Sequence, residues 1–455
     1  MSGAVGGDQH GSVADRTPLS GRLPALPSLT GARWWAAFAV FVLHALVFLP
    51  VYPFQRTELF ETIHSYVPMQ LGSAGVTFFF VLSGFIIYWS NGRMTDVGRY
   101  LKRRVAKIYP SHIVASLVFI AVASVPLSKA TVWVPNLLLV HTWWPNWTTL
   151  GGLNIPAWSL VAELLFYVTF PLLLPLVQRV RGRHIWWAIG GLFVLIMAIH
   201  TTYYLFLDGP RGIENAFVPR LWGPEQVVTP EFAVNVSPAW FAQDQIPVLP
   251  SYWMSYNFPL SRLPEFYLGV MAAKLVIERR WTNTAIGWPL LVLAGAFAAT
   301  WVVPVNYKMS AMFVLPMMLV VATLAARDLA GKPSHLTSRP MQTLGDISYA
   351  FYLIQFPVMV AVTRLLIAGN EHYFWGWAGW ALVCLVISMA AAWLLFEYVD
   401  DPIMQRVGKR KKTGRPGGGR HRAARGRAQT VESEKALGDE KRRPGDGGRR
   451  ERMRK

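Results

Sequence analysis

Cysteine is almost absent: the 455 residues contain one, Cys384, inside an apolar run. A single thiol excludes an intramolecular disulfide framework and a thiolate zinc cluster. Charge is scarce as well, at 15% of residues, where a soluble domain carries about 25%. The sequence has no phosphate-binding Gly-x-x-x-x-Gly-Lys loop, no His-Glu-x-x-His helix and no Gly-x-Ser-x-Gly elbow. Soluble nucleophile and zinc-protease chemistries therefore have no support, and no metal site is expected. Residues 1–30 lack the basic, apolar and cleavage regions of a signal peptide in their usual order and read as a flexible leader.

Apolar sequence is what the chain has in quantity, 53% of residues. It falls into runs near 34–51, 73–90, 109–126, 157–178, 184–207, 263–278, 285–304, 309–326, 344–367 and 374–396. Each is close to the roughly 20 residues that cross a bilayer as a helix. The expected fold is an all-α integral membrane domain of about ten transmembrane helices over residues 31–407. The segment 131–141 is too short to span and reads as interfacial or re-entrant.

The net charge of +19 suggests nucleic acid until it is located. Residues 409–455 hold 18 Lys/Arg and 6 Asp/Glu, a net of +12, leaving +7 for the rest. This Gly/Arg/Pro-rich tail, from residue 408 on, reads as disordered and drawn to anionic lipid; nucleic acid is not expected as a partner. With the N-terminus cytoplasmic, internal connections carry 14 Lys/Arg and external ones 6. The positive-inside rule then places both termini in the cytoplasm of a multi-pass cell-membrane protein. The longest external connection, 208–261, is rich in Pro, Trp and Tyr. It reads either as a cover over an acceptor site or as a loop without a catalytic part.

Ionisable groups inside a membrane are costly and mark candidate sites. Arg33 and His44 are eleven residues apart, which is 20° past three full helical turns and about 16 Å along the axis. Both side chains share one face of the first helix, with His44 near mid-membrane. A neutral imidazole there can accept a hydroxyl proton and return it; a buried histidine making one structural hydrogen bond is the alternative. The basic run Arg99 to Lys107 stands beside the Arg33 end, and the guanidinium forks of Arg103 and Arg104, with Lys107, suit the phosphates of coenzyme A. A simple topology anchor would look the same. Glu163 opens the fourth helix beside Trp158 and Ser159, with Tyr167 one turn on. It could orient His44 or bind an acceptor hydroxyl, the alternative being a packing pair with Arg262. Ser348, Tyr352 and Gln355 fall at i, i+4 and i+7 on the ninth helix, lining a cavity or joining helices. Arg262 and Glu265 read as an interfacial ion pair.

These pieces occur in an order that resembles the membrane acyltransferase-3 family along most of residues 33–407. They are Arg33-x10-His44, Gly75 to Phe85, Arg103-Arg104 to Tyr109-Pro110, Trp158-Ser159-Leu160 to Glu163, Leu263 to Gly269, and Gly345 to Leu353. The resemblance implies an O-acyltransferase that moves an acyl group, often acetyl, from acyl-CoA to a hydroxyl. The acceptor would be a sugar-containing or other small molecule such as a glycan, glycolipid or glycosylated natural product. His44 and Arg33 would then be the catalytic pair, Glu163 would belong to the site, and Arg103 and Arg104 would serve the acyl-CoA side. Acyl-CoA is a donor substrate, and no permanently bound cofactor is implied. Three positions depart from the family pattern. Gln355 stands where many members have histidine, Lys107 replaces an arginine, and the closing acidic motif reads Asp400-Asp401-Pro402. The last leaves Glu397 and Asp400 as rival acids. With only the basic tail after the last apolar run, the chain reads as a stand-alone member without the fused esterase-like domain of some relatives. A transporter or flippase using Glu163, His44 and Gln355 as a polar path is the competing reading, weakened by the lack of an internal repeat.

Overall fold

Helix limits follow local chemistry. The computed structural model describes residues 18–21, 23–48, 70–209, 248–332, 334–367 and 374–408. Most of the expected leader, residues 210–247 of the long external connection and the basic tail from 409 lie outside the described residues. The principal helices are α1 Pro27–Phe48, α2 Gln70–Asn91, α3 Val97–Ala123, α4 Ala130–Leu137, α5 Trp158–Arg179 and α6 His184–Phe206. They continue with α7 Pro259–Ile277, α8 Gly287–Ala299, α9 Ala311–Leu329, α10 Arg339–Val362, α11 Phe374–Leu395 and α12 Asp401–Gly408. No strand occurs among the described residues.

Among the described residues, eight helical segments are long and apolar enough to cross a membrane. The two other expected spans are helices of a different kind. α7 is almost wholly buried and carries Arg262, Glu265 and Lys274, while α8 has only 13 residues. Outward faces bear large apolar side chains, among them Trp187, Leu195, Leu291, Trp375 and Leu382. In water such a girdle would be an aggregation surface, but against lipid tails it costs nothing. The chain is a membrane protein.

Two boundaries differ most from the sequence reading. α1 begins at Pro27, inside the stretch 1–30 read as a leader, because proline suits a first helical turn. α3 begins at Val97, twelve residues before the expected span. The Asp96 side chain caps it by accepting from the Arg99 backbone N–H at 2.8 Å. Lys and Arg are good helix formers, so the basic run forms the opening turns of α3. Pro110 sits within that same helix.

α2 is the central helix, packed against α1, α5, α7 and α9. Its crossing with α7 is backbone on backbone. A Cβ added to Gly84 would lie 1.8 Å from the Phe266 carbonyl oxygen, and one on Gly269 would lie 1.9 Å from that of Val81. Without a hydrophobic drive between helices in lipid, close approach through small residues is what holds such pairs.

The segment read as interfacial or re-entrant folds back along α3. Chain direction reverses at Ser124, whose φ is 55°, and α4 runs back along α3. His112 Nε2 meets the Asn136 carbonyl at 3.0 Å, and Tyr109 donates to the Leu138 carbonyl at 3.2 Å. His112 lies eleven residues before the end of α3, so α4 penetrates about 16 Å from that end. Asn136 secures the fold-back by donating to the Val132 and Thr149 carbonyls at 2.8 and 2.6 Å. Beyond it, Asn154 donates to the Leu353 carbonyl at 2.8 Å. α5 therefore starts level with the middle of α10.

Candidate active site

Five helices present polar side chains to one cavity of about 100 Å³. α1 supplies Arg33, α3 supplies Arg104, α5 supplies Ser159, Glu163 and Tyr167, and α10 supplies Ser348 and Tyr352. α2 forms the remaining wall with Val76, Phe79, Phe80 and Ser83. The α5 trio follows from its spacing: positions i, i+4 and i+8 share a helical face.

Tyr167 donates its hydroxyl to the Glu163 carboxylate. Arg33 is within electrostatic reach of Glu163, Tyr167 and Asp346, and also of the like-charged Arg104. The Arg104 guanidinium lies 5.4 Å from the Tyr100 ring centroid and 5.6 Å from that of Tyr167, a cation–π placement that holds it in the cavity wall. Its Nε is buried without a hydrogen-bond partner among the described residues. The site thus sets one carboxylate against two guanidinium groups, an arrangement suited to an anionic or strongly polar ligand.

Deeper in the cavity, Ser159 Oγ and Tyr352 OH are 2.8 Å apart, and both reach the Pro156 carbonyl, at 3.1 and 2.9 Å. The expected stripe on α10 divides here. Ser348 and Tyr352 line the cavity, whereas Gln355 is buried beyond it and donates to the Tyr352 carbonyl at 3.1 Å. Trp158 stands one layer back, edge-on to Phe80 with centroids 6.2 Å apart and 4.4 Å from the Tyr256 ring.

The structure separates other residues grouped by sequence. Arg103 is exposed while its neighbour Arg104 lines the cavity. Lys107 sits 5.0 Å from the Tyr349 ring centroid with Asp400 as its leading electrostatic partner. Asp400 accepts from Ser111 Oγ at 2.6 Å and is buried, while Glu397 is exposed. A π-helical turn over Phe396–Asp400 produces that choice. Between the two rival acids, Asp400 is the one that faces the bundle.

His44 is buried on α1 but does not line the cavity. Its neighbour Leu43 packs where a Cβ on Gly72 would fall, and Val40 where one on Gly75 would fall. His44 is therefore about one turn beyond Val76, the cavity limit on α2. Glu163 has Tyr167 as a hydrogen-bond partner.

Arg262 and Glu265 form the expected ion pair. Both are fully buried in the protein, paired at 3.1 and 3.2 Å, and Ser310 donates to Glu265. The Arg262 guanidinium lies 5.1 Å from the Phe80 centroid and 5.5 Å from that of Tyr256. Pairing of Glu163 with Arg262 does not occur, because Arg262 already has its carboxylate. Sequence reasoning gave no role to Ser83 or Asp346, although both lie in or beside stretches that carry the family resemblance.

The acyltransferase-domain family model matches residues 26–397. The chain is 33% identical over 402 residues to "Acyltransferase MdmB" of Streptomyces mycarofaciens, covering 86% of this chain and 94% of that protein. No solved structure matches. The chain belongs to the acyltransferase-3 family and is an acyltransferase.

Proposed function

We propose that the chain transfers an acetyl or other short acyl group from acyl-CoA to a hydroxyl of a sugar-containing or similar small acceptor. It would work in the cell membrane, crossing it about ten times with both termini in the cytoplasm. The observation that carries this reading is the convergence of Arg33, Arg104 and Glu163 on one cavity at the basic end of the bundle. Acyl-CoA comes from the cytoplasmic side, where the opening turns of α3 are basic. Arg33 and Arg104 hold the donor, and the thioester points along α2 toward His44.

The acceptor hydroxyl meets the thioester beyond Val76 and Tyr352. Its oxygen attacks the acyl carbon while the His44 imidazole takes the hydroxyl proton. As the C–S bond breaks, the electron pair leaves on sulfur and His44 returns the proton, giving ester and free CoA thiol. Arg33 stabilises developing negative charge through its fixed guanidinium. Ser159 and Tyr352, joined over the Pro156 carbonyl, orient polar groups of the acceptor, with Trp158 and Tyr256 backing that wall. Lys107, aligned by Asp400, adds positive charge behind the donor.

Comparing extracts of cells with and without the protein tests this directly. A compound heavier by one acyl group, found only when the protein is present and labelled from acyl-CoA, is the expected result. Uptake or export of an unmodified compound, with no acylated product, would instead favour a transporter.

A further inference from the structure

A second cleft, of about 360 Å³, surrounds the last turn of α2 at the basic end of the bundle. Tyr88, Trp89, Ser90 and Arg93 line it, and Leu19 and Leu23 of the segment before α1 close it. That segment is fixed rather than loosely apposed. Leu19 N–H bonds the Ile277 carbonyl at 2.9 Å, and Trp89 Nε1 donates to the Pro24 carbonyl at 3.0 Å.

Arg93 is the charged residue of the cleft lining, and Tyr88 and Trp89 form its aromatic wall. Lys274 Nζ donates to Tyr88 OH at 3.3 Å and lies 5.3 Å from the Tyr88 ring centroid. Arg93 and Arg181 act electrostatically on Tyr88 from the same end. Glu278, the acid that acts on Tyr88, is already engaged by the Gly182 N–H at 2.9 Å and by Arg280 at 3.4 Å. One lining guanidinium beside an aromatic wall, with Lys274 and Arg181 adding positive charge around Tyr88, suits a phosphorylated purine, through charge-assisted hydrogen bonds and stacking.

Position relative to the active site identifies the source. Ser83 of the active-site cavity and Ser90 of the cleft are seven residues apart, hence on one face of α2 and about 10 Å apart along it. Ser90 keeps that direction while Tyr88 turns toward α7, so the cleft wraps the helix end. We infer that it seats the adenosine 3′,5′-diphosphate end of acyl-CoA, with the pantetheine arm running past Ser90 to Ser83 and Arg33. The inference rests on the acyl-CoA reading above. It moves nucleotide recognition away from Arg103, which is exposed and does not line the active-site cavity.

The test uses the full chain in nanodiscs and adenosine 3′,5′-bisphosphate as probe. Arg93 is exposed, so Arg93→Ala tests the cleft without disturbing a packed core; Lys274→Gln is the second variant. Binding of the bisphosphate is expected, weakened about tenfold by Arg93→Ala and unaffected by added anionic lipid. In turnover, Arg93→Ala is expected to raise KM for acetyl-CoA about tenfold while changing that for S-acetylpantetheine less than about twofold. Lack of bisphosphate binding, or equal binding by wild type and both variants, would overturn the inference. So would displacement by anionic lipid, which would make the cleft a headgroup site, or equal KM changes for both donors. Wild type that binds the bisphosphate at this cleft yet transfers no acyl group from acetyl-CoA would keep the nucleotide site and refute the donor reading instead.

Discussion

Tyr167 donates its hydroxyl to Glu163, one turn earlier on α5, and both face a cavity that also holds Arg33 and Arg104. The hydrogen bond fixes the carboxylate direction. It leaves the rest of that carboxylate available to the two guanidinium groups or to a ligand.

Glu163→Gln keeps the shape and removes the charge. Transfer is expected to fall by about 10²-fold or more in kcat/KM, since the charge balance of the cavity is lost. Tyr167→Phe removes one hydrogen bond to a charged group and should cost about tenfold. Initial rates on purified protein at several donor concentrations check both. Equal rates for Glu163→Gln and wild type would remove Glu163 from the site.

Arg103 and Arg104 are neighbours in sequence but differ in direction. Arg104→Ala is expected to raise KM for the acyl donor about ten- to a hundredfold. Arg103→Ala, at an exposed position, should change it by less than about twofold. Donor-saturation curves for the two variants decide the matter, and a larger effect at Arg103 would contradict the orientation of α3.

Sequence spacing located the α5 face correctly, because i, i+4 and i+8 positions are neighbours on any α-helix. It could not separate Arg103 from Arg104, since that depends on which side of α3 meets α5. Spacing gave Arg262 and Glu265 as an ion pair but not their burial. Their burial comes from Phe80, Tyr256 and Ser310, which lie on other elements and are brought together only by the fold. The choice of Asp400 over Glu397 depends on a π-helical turn that spacing arguments based on 3.6 residues do not anticipate. The shared face of Arg33 and His44 is geometry that any straight helix provides. That the cavity ends about one turn short of His44 is set by how α1 packs on α2.

The buried Arg262–Glu265 pair makes a stability prediction. Removing one partner, as in Arg262→Met, strands a charge in an apolar site and should cost about 3–5 kcal/mol. Arg262→Met combined with Glu265→Leu should recover most of that loss. Thermal unfolding in one detergent compares the three proteins. A double variant no more stable than Arg262→Met alone would show that the pair has a role beyond mutual neutralisation.

His44 is where the proposed chemistry is most exposed to test. The measurement is transfer of a labelled acetyl group from acetyl-CoA to the acceptor by purified wild type and by His44→Ala, both checked for folding by thermal unfolding. Wild type should transfer the label, and folded His44→Ala should lose at least about 10²-fold in rate while still binding the donor. Full activity in folded His44→Ala would contradict general-base catalysis by this residue.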